Sequence, residues 1–75
     1  MKHTEVVVHI DESLDNEGIY GLEKDLAQHD GVYSACVSEG RRHLMLVDYD
    51  PDDTKSFDIL SQIRGSGLHA SLIGF

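Results

Sequence analysis

Seventy-five residues, 40% of them hydrophobic, make a chain too apolar for disorder and just long enough for one small domain, here residues 1–75. A formal net charge of −8 sets its surface against phosphate backbones, and no run reaches the roughly 20 apolar residues of a membrane span, so neither nucleic acid nor membrane is an expected partner. Cys36 stands alone, so there is no internal disulfide, and no apolar stretch follows Lys2 as in a signal peptide; both features fit a cytoplasmic location.

Thr4 to Ile10 alternates, with Thr4, Val6, Val8 and Ile10 on one face and Glu5, Val7 and His9 on the other, which predicts a β-strand. An acidic loop, Asp11 to Asn16, leads into a helix with apolar positions Ile19, Leu22 and Leu26, capped by Asp15 or Asn16. Asp30-Gly31 ends that helix. A second strand, Val32 to Ser38, has Val32, Ala35 and Val37 as core positions; this set breaks strict alternation and predicts an irregularity near Tyr33 or Ser34. Glu39-Gly40-Arg41 is a hairpin signal. The third strand, His43 to Tyr49, puts Met45, Val47 and Tyr49 on one face and Leu44, Leu46 and Asp48 on the other, and Pro51 stops it. A second helix starts at Thr54 or Lys55, carries Ile59, Leu60 and Ile63 at helical spacing, and ends at Gly65 and Gly67. Leu68 to Phe75 closes the chain as a fourth strand with Leu68, Ala70 and Leu72 inward.

The order β-α-β-β-α-β predicts an α+β, ferredoxin-like sandwich: a four-stranded antiparallel sheet, spatial order 4-1-3-2, with both helices on one face.

Gly31-Val32, Val37, Val47-Asp48-Tyr49-Asp50-Pro51, Ile59-Leu60, Ile63 and Gly67-Leu68-His69-Ala70 together resemble the heavy-metal-associated domain, the small copper-chaperone fold also found at the N-termini of metal-pumping ATPases. The resemblance runs from about Val6 to Leu72 and implies metal binding and transport. The family's function rests on a G-M-x-C-x-x-C loop, whose two thiolates hold a soft ion such as Cu(I) and pass it on by ligand exchange. In this chain Glu12-Ser13-Leu14 stand at G-M-x, and Asp15 and Gly18 stand at the two cysteines. The thiolate site is absent, and copper carriage does not carry over with the fold.

Two readings of function remain. In the first, the sheet face away from the helices, bearing Val7, Cys36, Leu44, Leu46 and Ile73, is an interface. The protein is then a non-catalytic interaction or assembly module with no cofactor, working as a homodimer or with a partner protein. In the second, the end of the first strand and the start of the fourth gather His9, His69, Asp11, Glu12 and Asp15 as ligands for a divalent transition metal such as Zn, because imidazole and carboxylate suit such ions better than Cu(I). The hairpin bearing His43 lies at the same end. A calcium reading of Asp48 to Asp53 fails, since the loop glycine and the closing glutamate are missing where Asp53 and Ile59 stand. No constellation for catalysis emerges, and the chain is not expected to be an enzyme.

Overall fold

A computed structural model describes residues 3–73. The elements follow as β1 (Thr4–Ile10), α1 (Asn16–Ala27), β2 (Val32–Val37), β3 (Leu44–Tyr49), α2 (Ser56–Gly65) and β4 (Ala70–Ile73). The strands form one sheet, ordered β2-β3-β1-β4, in which every pairing is antiparallel. Read from the other edge, this is the expected 4-1-3-2.

Alternation decides which face each strand buries. Val6, Val8 and Ile10 of β1, Met45, Val47 and Tyr49 of β3 and Ala70 of β4 pack under Leu22 and Leu26 of α1 and Ile59, Leu60 and Ile63 of α2. Val32, Ala35 and Val37 of β2 lie half-buried at the edge of this cluster. The register of β2 on β3 slips between Val32 and Ser34, so Val32 and Ala35 both face inward across an odd spacing. Outside the strands, Arg64 donates from Nε and Nη2 to the Ala70 carbonyl at 3.1 and 3.0 Å, fastening α2 to β4.

The turn from α1 into β2 depends on Gly31, whose φ of +87° is one an L side chain rarely adopts. A Cβ there would lie 2.9 Å from the Asp53 Cβ, so the β3–α2 connection packs directly on this glycine. Its carbonyl accepts from the Asp50 amide at 2.7 Å.

Element boundaries differ in places from the sequence expectation, while α2 ends at its glycines as expected; β2 ends at Val37 and not Ser38. β3 begins at Leu44 and not His43, because residues 38–43 are taken up by the turn, with Arg41 N–H donating to the Ser38 carbonyl and Leu44 N–H to the Arg41 carbonyl. Helix α2 begins at Ser56: Lys55 is its cap residue without a side-chain cap bond, while Thr54 is buried and its Oγ1 lies 3.1 Å from His29 Nε2. Gly65 is the last helical residue, and Gly67, at φ +89°, makes the left-handed turn. β4 is four residues long, Ala70–Ile73; Leu68 and His69 precede it, and Gly74 and Phe75 lie outside the described residues. No helix among the described residues is long and apolar enough to cross a membrane.

Candidate functional site

The β1–α1 loop is where the thiolates of the resembled family would stand. Asp15 is the N-cap of α1, and its Oδ1 accepts from the Gly18 amide at 2.7 Å. The two positions aligned with the metal cysteines are therefore bonded to each other, carboxylate to backbone. A Cβ on Gly18 would lie 3.1 Å from that carboxylate oxygen. The donor set for a soft ion is absent, and the one side-chain oxygen present is engaged in capping the helix.

The histidines and carboxylates at this end of the sheet form two separate groups. Glu12 reaches across to β4: Oε1 accepts from the His69 amide at 2.8 Å and Oε2 lies 2.6 Å from His69 Nδ1. Hydrogen bonding from the His69 side chain, then from its amide, lowers the Glu12 pKa, while hydrogen bonding to Glu12 and its charge raise that of His69. His9 lies on the other side of the loop, with Nδ1 3.2 Å from Asp11 Oδ1 and its ring stacked on His43 at a centroid distance of 5.9 Å. His43 Nδ1 lies 2.7 Å from the Ile10 carbonyl oxygen. Antiparallel pairing does bring the strand ends together, since the Asp11 amide donates to the His69 carbonyl at 2.8 Å. Yet His9, His69, Asp11, Glu12 and Asp15 do not converge as one ligand set, and no group of three metal-ligating side chains forms among the described residues. The nearby imidazole is His43, which the expected set omits; its signal in the sequence is its place just before Leu44, the residue opposite His9.

Away from the helices, no element among the described residues covers the sheet face. Register alone lines up Cys36 with Leu46, Leu46 with Val7 and Val7 with Ile73, a row of sulfur and hydrocarbon across all four strands. Leu44 extends it beside His9. Val7, Leu44 and Leu46 are half-buried, while Cys36 and Ile73, at the two edges, are exposed. Glu5 and Asp48 oppose each other on the same face at one end of the strands, with His3 Nδ1 3.2 Å from Asp48; His9 and His43 occupy the other end.

The acidic run after β3 is a turn. Asp50 Oδ1 accepts from the Asp52 amide at 2.9 Å, and the Asp50 carbonyl accepts from the amides of Asp53 and Thr54. Asp50 Oδ2 also accepts from the Tyr33 hydroxyl at 3.5 Å. The bonds from the Asp52, Asp53 and Thr54 amides are internal to the β3–α2 connection and shape a helix entry, while Tyr33 ties it to β2.

No protein-family model matches the sequence, and no curated protein sequence does. Solved structures do match. The chain is similar to a copper-binding domain from HMA7, a P-type ATPase, at 23% identity over 93% of each chain with a TM-score of 0.84. It is similar to the N-terminal soluble domains of CopA from Bacillus subtilis at 25% identity, covering 91% of this chain and 46% of that one, with a TM-score of 0.81. Against the apo copper chaperone of Enterococcus hirae the identity is 18%, over 91% and 98% of the two chains, and the TM-score is 0.80. The chain has the ferredoxin-like fold of the heavy-metal-associated copper-binding domains and copper chaperones. This chain has a single cysteine, Cys36, and it lies in β2, away from the β1–α1 loop.

Proposed function

We propose that this protein is a non-catalytic, cytoplasmic interaction module on the heavy-metal-associated fold, pairing with a second copy of itself through the open sheet face. The observation that carries this reading is the apolar row Cys36–Leu46–Val7–Ile73, which spans the whole sheet with no element above it among the described residues. The occupant follows from charge. Glu5 and Asp48 face each other as like charges across β1 and β3, which destabilises the sheet locally. The opposite end carries His9, His43 and the exposed Arg41. A two-fold axis lying along the apolar row superposes the row on itself and turns the strands end for end, so the end bearing Glu5 and Asp48 in one copy meets the end bearing His9, His43 and Arg41 in the other. The chain's principal extents are 33 × 23 × 20 Å, and its broad face is comparable to the roughly 800 Å² per partner of a standard interface. Sedimentation of the untagged protein tests this. Wild type runs at twice the 8.3 kDa chain mass, and Leu46→Asp and Ile73→Asp both run as monomers. Ile73 is 42% exposed, so its variant folds even if a charge at Leu46 disturbs the sheet. A wild type that stays monomeric at high micromolar concentration defeats the proposal.

A second reading, metal handling without thiolates, is supported by the copper-binding domain and copper chaperone among the similar structures and by the histidines around the β1–α1 loop. The absent thiolates limit it to ions that accept imidazole nitrogen and carboxylate oxygen.

A further inference from the structure

We infer that His9 and His43 form an exchangeable two-imidazole site for a borderline divalent ion such as Zn(II), placed on the rim of the open sheet face and not in the β1–α1 loop; this rests on the metal-handling reading and names its ligands. The geometry has three parts. First, the rings are neighbours, stacked with centroids 5.9 Å apart and planes inclined by 22°. Two imidazoles sharing a tetrahedral ion at about 2.0–2.1 Å per nitrogen have centroids on the order of 5 Å apart, close to the separation seen here.

Second, His43 has its other nitrogen held, and a carboxylate lies near that of His9. The Ile10 carbonyl, 2.7 Å from His43 Nδ1, can only accept a hydrogen bond, so Nδ1 carries the proton and Nε2 carries the lone pair. Asp11, 3.2 Å from His9 Nδ1, favours the same tautomer there. A backbone carbonyl hydrogen-bonded behind an imidazole, as at His43, is a support that orients a metal-ligating histidine, and the Asp11 carboxylate is near enough to act on His9 through charge. Neither Nε2 has a protein partner among the described residues. His69 and His3 also have a carboxylate against Nδ1, but among the described residues neither stacks on a second imidazole, and His29 is engaged through Nε2 with Thr54.

Third, the pair is open. His9 is 39% exposed at its side chain, and His43 is exposed. Two protein ligands leave about half of a tetrahedral shell to water or to an incoming donor, which suits release more than permanent storage.

Titration of untagged protein with Zn(II) alone, followed by calorimetry and by the ring-nitrogen NMR signals, tests this assignment. Wild type takes up one ion per chain, with the Nε2 signals of His9 and His43 moving and that of His69 still. His9→Ala and His43→Ala each weaken binding by tenfold or more, Asp11→Asn weakens it by about 10-fold or more through loss of its charge, and His69→Ala leaves it unchanged. Backbone NMR spectra that match wild type show that each variant has folded. Zinc binding that survives both His9→Ala and His43→Ala, but is lost in His69→Ala, overturns this pair while leaving metal handling intact. A wild type that binds no zinc overturns both.

Discussion

Asp15 and Gly18 show what the β1–α1 loop of this chain is built to do. The Asp15 carboxylate accepts from the Gly18 amide and caps α1, so the helix starts where a metal loop would otherwise be organised by its ion. Asp15→Ala is expected to cost about 1 kcal/mol in urea unfolding, Asp15→Ser to recover most of it, and neither to alter zinc binding. A loss of zinc binding in Asp15→Ala with the fold retained would return Asp15 to the ligand pool. At the neighbouring clamp, the pKa directions give a pH window. His69, raised mainly by its hydrogen bond to Glu12, contributes stability that is full below its unfolded value and lost as pH rises through the folded one. Glu12, lowered mainly by the His69 side chain, contributes stability that is full above its unfolded value and lost as pH falls through the folded one. The clamp is therefore complete between the ordinary glutamate and histidine ranges. In an NMR titration His69 should deprotonate above the usual histidine range, and Glu12→Gln should bring it back; an unmoved midpoint in that variant would show that the contact is absent in solution. Because the pair is exposed, the effect is read in the titration and not in bulk stability.

At the scale of elements, the strands and helices were legible because one face of each is buried and the periodicities of 2 and 3.6 survive in the apolar residues. The β2 irregularity could be read from Val32 and Ala35 lying three apart. What escaped were boundaries set by turn geometry. His43 reads as a strand residue by composition, yet its place is fixed by the Ser38–Arg41–Leu44 hydrogen bonds. The candidate site was half legible. Topology brought the right strand ends together, but which nitrogen meets which oxygen is decided by side-chain reach: Glu12 is long enough to cross to His69, and Asp11 turns to His9. Gly31 supplies the test at this scale. Its positive φ and the 2.9 Å approach to Asp53 mean that Gly31→Ala strains the α1–β2 turn and displaces the β3–α2 connection together. The expected loss is about 1–3 kcal/mol in chemical denaturation. A neutral result would mean that this packing does not persist in solution.

For the whole molecule, the fold separates two surfaces with different duties. The helical side closes a core in which Leu26, Met45, Ile59 and Ile63 are fully buried. The sheet side leaves hydrocarbon in a row, acid at one end and imidazole at the other, on a chain whose net charge of −8 otherwise opposes self-association. On the proposed reading, docking through that face would combine the pairing of the two ends with apolar burial. Raising the salt concentration should weaken the dimer modestly without abolishing it, because screening removes the end pairing and leaves the apolar row. Native mass spectrometry of the untagged protein, with a chelator present, tests the central claim most directly. A metal-free dimer is the predicted result, showing that the sheet face pairs without any ion. A metal-free monomer at concentrations up to the high micromolar range would contradict it.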